Sequence, residues 1–301
     1  MNARMLARVL GGDVVGADRV VAPGPGHSAA DRSMSVLIAD NAPDGFVVTS
    51  FSNDDWRACR NHVRTRLGFG SARIASIPRQ GRQGSRLDHA DRRQALIEKL
   101  WKESVPIGGT TVERYLTGRG LTIPEEALDG KALRFHVSCP FTLTNGGLVT
   151  LPAMMAAMVD IRDSTLVGIH RTALAADGSG KAGIADLGNP KKMLGRAAGA
   201  CIKLTPDEEV THGLHIAEGI ETALACIGMG FRPVWVALSA GGIANFPVLA
   251  GIDALTVFAD NDATGRKSAA VCAHRWSAAG KEVTQIIPAI DGRDFADGGY
   301  A

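Results

Sequence analysis

Three acidic residues close two short apolar runs. Leu214, His215, Ile216 and Ala217 lead into Glu218 and Gly219, and residues 254–259 lead into Asp260, Asn261 and Asp262. Runs this short and apolar, each followed by small residues and a helical pattern, read as buried parallel strands feeding helices. In an open α/β sheet the functional crevice lies beyond the carboxyl ends of the strands. Carboxylates that converge there repel one another unless a cation neutralises them. Hard oxygen ligands, few in number, favour Mg2+ or Mn2+ with substrate phosphates completing the shell. The chemistry expected is metal-assisted phosphoryl or nucleotidyl transfer.

A chain of 301 residues has room for two domains or three small ones, and 45% hydrophobic content is enough to build real cores. It contains no run of 18 apolar residues, and its first ten residues are too short and too weakly apolar for a secretory signal. A soluble, cytoplasmic protein without membrane contact is expected. The five cysteines are scattered, with no C-x-x-C pair, which argues against a zinc site and against a disulfide framework. The net charge of +2 conceals an asymmetry. Residues 57–102 carry 12 Lys/Arg against 3 Asp/Glu, and residues 206–301 carry 6 against 12. A basic segment beside an acidic one suits an enzyme that grips a polyanion and works on phosphates.

The elements that must position these acids follow in order. Residues 1–70 read as a small β-rich unit, with strands near 32–38 and 45–51 and a helix over 56–67. Residues 71–90 combine Gly, Ser, Pro and Arg without apolar periodicity and read as a flexible basic linker. From residue 91 to 205 helices and strands alternate: Leu96, Ile97, Leu100 and Trp101 share a helical face, and strands are predicted at 132–137, 148–160, 166–173 and 200–204. Two features interrupt this region. One is Gly168, Ile169, His170, Arg171 and Thr172 at a strand end; the other is a cationic loop over 188–196 holding Lys191, Lys192 and Arg196. Glycines let a backbone approach a ligand, and paired lysines offer point charges to phosphates. Residues 206–301 alternate strand and helix, which makes a compact parallel sheet. The fold class expected is α/β: a C-terminal parallel β-α sheet, a mixed α+β basic subdomain before it, and the small β-rich unit at the N-terminus.

This C-terminal unit resembles the Toprim domain shared by primases, topoisomerases and some nucleases. The resemblance rests on Glu218-Gly219 after the first strand, Asp260-x-Asp262 after the third, the helix opening at 263–266, and the late Asp291, Gly292, Arg293 and Asp294. It extends upstream through 167–171 and 189–195, and through 115–121 and 133–136, to Toprim primase-like proteins of the phage and plasmid type. Residues 1–70 loosely resemble the zinc ribbon that opens such primases. Gly24, Ser50 and Asp54 stand where cysteines would be, only His27 is of a ligand type, and one histidine cannot hold a structural zinc. No zinc is therefore expected, and the unit reads as a ribbon that has lost its metal and kept its shape.

The resemblance implies a DNA primase: a nucleotidyltransferase making short RNA primers on single-stranded DNA from nucleoside triphosphates, with Mg2+ or Mn2+. It makes Glu218, Asp260 and Asp262 catalytic residues and metal ligands, with Asp294 supporting a second metal. Arg171, Lys191, Lys192, Arg196 and Arg266 would bind nucleotide or DNA. A replicative helicase is a further partner it implies, although the chain ends soon after the Toprim-like unit, without the helicase-binding or fused helicase region such primases often carry. Glu221 reads as an exposed helix-start acid favoured by the helix dipole. A Toprim nuclease and a non-catalytic DNA-binding replication accessory are the alternatives. Topoisomerase chemistry needs a cleavage tyrosine, and the two present, Tyr115 and Tyr300, lie in no such context.

Overall fold

The computed structural model describes residues 2–39, 42, 44–52, 54–68, 83–290, 292 and 295–297, the side chains of 83–90 and 297 excepted. The chain divides into two compact units, 1–80 and 81–301.

The first unit opens with helix α1 (Ala3–Leu10), which Asn2 caps by accepting the Met5 N–H. Ala3, Leu6, Ala7 and Leu10 fall on one face by helical spacing and are buried. A four-stranded antiparallel sheet follows in the order β1 (Asp13–Val14), β2 (Arg19–Ala22), β3 (Met34–Ile38) and β4 (Phe46–Ser50). Helix α2 (Trp56–Arg66) adds Cys59 and Val63 to the core that α1 shares with the sheet. Arg60 and Arg64 of the basic helix both pair with the largely buried Asp44, so its charge is partly internal.

The positions that resemble ligand sites do converge, as a hydrogen-bonded network. Asp31 Oδ2 lies 2.5 Å from His27 Nδ1, and Asp54 Oδ1 lies 3.2 Å from Nε2. Ser50 Oγ donates to Asp54 Oδ2 at 2.9 Å, and Ser33 Oγ donates to Asp31 Oδ2. A Cβ on Gly24 would stand 2.9 Å from Asp54 Oδ2, so the cluster fills the space a side chain there would need. Both ring nitrogens of His27 are engaged by carboxylates, which leaves no ring lone pair for a metal. A protonated imidazole donating from both nitrogens ties the β2–β3 loop to the start of α2. Hydrogen bonding to Asp54 and then Asp31 raises the His27 pKa above its ordinary 6.5, and the Ser33 hydroxyl and His27 lower that of Asp31. The histidine contribution is therefore complete below about pH 6.5 and is lost as pH rises through the raised value; the Asp31 contribution is lost as pH falls below about 4. Hydrogen exchange of peptides spanning 19–60 in the full chain, corrected for intrinsic rate, is expected to show stronger protection at pH 6 than at pH 8.5. His27→Gln should flatten that difference; equal protection in the unsubstituted chain would contradict the imidazolium bridge.

The second unit begins with helix α3 (Gln83–Glu103), so residues 83–90, expected as linker, are helical. After β5 (Val105–Pro106), helices α4 (Thr111–Gly118) and α5 (Glu125–Leu128) precede a run of antiparallel strands. These are β6 (Leu133–Thr142), β7 (Leu148–Asp160), β8 (Leu166–Ala173), β9 (Lys191–Gly195) and β10 (Ala200–Lys203). The expected cationic loop is thus largely strand: β9 pairs antiparallel with β8 in the register Lys191↔Thr172, Lys192↔Arg171 and Met193↔His170.

The remaining elements are β11 (Gly213–Ala217), α6 (Ile220–Gly228), β12 (Val234–Val236), α7 (Ala240–Ala244), β13 (Ala254–Phe258), α8 (Ala263–Ala278) and β14 (Glu282–Ile286). The four strands are parallel in the order β14-β13-β11-β12, and β12 joins β10 antiparallel, which extends one ten-stranded sheet across the unit. One face of the parallel part carries Leu214, Ile216, Trp235 and Val257 against α8 residues Ala269, Cys272 and Trp276. The other packs α6 through Ala223 and Leu224, and the same core continues to α4, which lies against β6 and β7 with Tyr115 and Leu116. Helix α3 covers β6–β8 with Ile97 and Leu100. No helix among the described residues is long and apolar enough to cross a membrane.

Candidate active site

Strands β11 and β13 are adjacent, parallel, and paired Ala217↔Phe258, so Glu218 and the 260–262 acids leave the sheet side by side. Burial raises the Glu218 carboxyl above its ordinary 4.5, and the nearby Asp260 charge adds to this; the Ala240 N–H pulls the other way. That N–H is presented by a tight turn. Leu238 adopts φ 73°, a left-handed conformation uncommon outside glycine, and Ser239 then caps α7 through Gly242 N at 3.0 Å. Asp262 caps α8, its Oδ1 accepting from Gly265 N at 2.7 Å. Gly265 is required by contact: a Cβ there would lie 2.3 Å from the Asp260 carbonyl oxygen, so its absence lets α8 begin directly against the acidic turn.

A pocket of about 230 Å³ opens beside Glu218, lined among others by His170, Asn189, Lys191, Met193 and Leu238. Burial, and then the Lys191 charge, push His170 down to about 4, so it is neutral at physiological pH. Its Nδ1 has no hydrogen-bond partner among the described residues.

Behind Lys191 stands a side chain that differs from its sequence reading. Glu221 is buried, its side chain 4% exposed. Its Oε2 pairs with Lys191 Nζ at 3.1 Å, and Oε1 pairs with Lys181 Nζ at 3.1 Å and accepts from Tyr115 Oη at 2.9 Å. Arg119 Nη1 is 3.9 Å away. Burial alone would push the carboxyl up, but Lys191 and Lys181 overcome it and hold it at about 2. Dipole preference explains why an acid is tolerated in this first turn, but packing of α4 against α6 decides that it is enclosed.

Residues 213–298 match the family described as Toprim domain. This segment is a Toprim domain. The region before it, 91–204, matches a family described as a domain of unknown function, DUF7146. No curated protein sequence matches the chain. Among solved structures the chain is similar to a DNA primase domain from Pseudomonas aeruginosa, at 16% identity and TM-score 0.44, over 69% of this chain and 73% of that one. It is similar to the Aquifex aeolicus primase (zinc-binding and RNA polymerase domains) at 14% identity and TM-score 0.45, over 98% and 78%. The primase fragment of the bacteriophage T7 primase-helicase protein aligns at 13% identity and TM-score 0.42, over 92% of each.

Of the cations expected to grip phosphate, only Lys191 lines the pocket beside Glu218. Side chains alternate along a strand, so Lys192 and Arg171 lie on the opposite face from Lys191 and His170. Arg171 Nη1 donates to the Pro140 carbonyl at 2.7 Å and its guanidinium lies over the Phe141 ring, so it packs against β6 and does not reach the pocket. Arg196 pairs with Asp160 at 2.6 Å. Arg266, on the exposed first turn of α8, donates to Asn261 Oδ1 between the two aspartates. Asp294 lies outside the described residues. Among the described residues no three His, Cys, Asp or Glu side chains group to hold a metal ion. What the Toprim edge presents is Glu218 with Asp260 and Asp262 close enough to raise its carboxyl. That donor set fits Mg2+, which takes one or two carboxylates and completes its shell with water and substrate phosphates.

Sequence reasoning left Lys181, Tyr115 and Arg119 without a role. The available signals were a lone lysine between Gly180 and Gly183, and a Tyr-Arg pair at i, i+4 running from α4 to its C-cap.

Proposed function

We propose that the chain is a primase, joining ribonucleotides into short primers on single-stranded DNA. The observation that carries this is the parallel β11–β13 register, which sets Glu218 beside Asp260 and Asp262 while Lys191 faces Glu218 across the pocket. Mg2+ would be held by one or two of Glu218, Asp260 and Asp262, with Asp294 in support, and would supply neutralisation of charge on the attacking and leaving oxygens. Lys191 binds nucleotide phosphate. Neutral, buried His170 offers a ring nitrogen to a nucleotide in the pocket without adding charge. Arg266, exposed beside the acids, is assigned to the template backbone. Lys192, on the far face, and Arg196, paired with Asp160, are left to a more distant part of the template. Positioning and electrostatics supply most of the rate in such chemistry. A replicative helicase is the further protein partner this reading implies.

The test is de novo synthesis by the full chain on single-stranded DNA with labelled ribonucleotides and Mg2+. Short products that require all of these components are expected. Degradation of the template instead would replace primase by nuclease, and DNA binding with neither reaction would leave an accessory role.

A further inference from the structure

Lys191 and Lys181 come from different segments, β9 and the turn after β8, where Lys181 bridges to Leu174. One buried carboxylate, Glu221 of the Toprim helix α6, takes one ammonium on each oxygen at 3.1 Å. Tyr115 completes its shell, and Arg119 approaches both the phenol and the carboxylate. Satisfying a buried carboxylate takes one well-placed cation and a hydrogen bond. Here two lysine ammoniums share one carboxylate, which leaves excess positive charge at Lys191, on the pocket wall, and at Lys181 next to it. Both lysines keep about a third of their side-chain surface in solvent (31% and 35%), so an anion reaches them without displacing Glu221.

We infer that Lys181 is a second phosphate-binding residue beside Lys191, and that Glu221 is the positioning residue holding the two ammoniums together, with Lys191 on the pocket wall. The inference rests on the nucleotide-handling reading of this site. It means that the Toprim domain supplies the anchor and the preceding region supplies the phosphate grip, so neither is complete alone.

The groups facing Lys181 are Glu221 from α6, Lys191 from β9, and Arg119 just beyond α4. Burial lowers the Lys181 pKa, Lys191 and Arg119 lower it further, and Glu221 is the group that opposes them. Removing the Glu221 charge therefore lowers the Lys181 pKa further. A purely structural Glu221 would not link phosphate affinity to pH in this way.

The experiment is equilibrium binding of ATP with Mg2+ to the full chain, alongside primer synthesis by the same preparations. Lys181→Ala should weaken ATP binding about tenfold, the loss of one charge-assisted hydrogen bond, and Lys181→Arg should recover most of it. In Glu221→Gln, ATP affinity should fall as pH rises from 7 to 9.5, while the unsubstituted chain stays nearly level. Unchanged affinity in Lys181→Ala, or no ATP binding by the unsubstituted chain, overturns the inference. The Lys181 variants decide the matter even where Glu221→Gln fails to fold. A tenfold loss with no primers made keeps the phosphate site and removes the primase; primers made with unchanged ATP affinity in Lys181→Ala do the reverse.

Discussion

Primer synthesis is expected to fall by roughly 10³-fold or more when Asp260 and Asp262 are both replaced by Asn, since each lost electrostatic contact to the reacting phosphates costs about 10²–10³-fold. Asparagine is chosen for a structural reason. Asp262 caps α8 through Oδ1, and Asn caps a helix about as well as Asp, so the double variant loses charge and keeps the helix start. Asp262→Ala would remove the cap as well, at about 1 kcal/mol of stability, and would confuse the two effects. Thermal unfolding should therefore be nearly unchanged in the Asn variant while product formation on single-stranded DNA disappears. Retained synthesis would move the metal-holding role away from this turn.

Gly265→Ala should be nearly as damaging without touching a carboxylate. In an ordinary exposed helix this change stabilises, by restricting the unfolded chain. Here the new methyl would sit 2.3 Å from the Asp260 carbonyl oxygen and close to its backbone nitrogen. Helix α8 must retreat or the acidic turn must shift, at about 1–3 kcal/mol for an overpacked contact. A misplacement of about 1 Å at the reacting centre costs on the order of 10²-fold in rate. Chemical denaturation and primer synthesis measured on one preparation should show both losses. A stabilised, fully active variant would mean that the turn does not depend on this close approach.

How much was legible in advance follows from which forces are local. The β11 and β13 runs, the acids that close them and the helices behind them were readable because strand and helix periodicity, and the place of acids after parallel strands, depend on near neighbours. Gly24, His27, Ser50 and Asp54 formed a set only through the resemblance to a zinc ribbon, and the structure brings them together by hydrogen bonds and close contact. Period-two alternation also foretells that Lys191 and Lys192 part company, but only once 191–195 is known to be a strand. That depends on β8 lying alongside it, since Lys191 and Lys192 carry no β preference of their own.

Glu221 marks the other limit. Its place in the first turn of α6 was visible, but its burial was not, because Tyr115 arrives from 106 residues away and Lys191 from 30. By itself the sequence determined the order of elements, the parallel acidic edge of the Toprim domain and the absence of a thiolate set in the N-terminal unit. The tertiary structure alone decided which charges meet: Arg171 is turned onto Phe141, Arg196 onto Asp160, and Lys181 and Lys191 onto one carboxylate. Charge pairing acts over a few ångströms through space and carries no period along the chain, so folding must bring the partners together before their roles can be read.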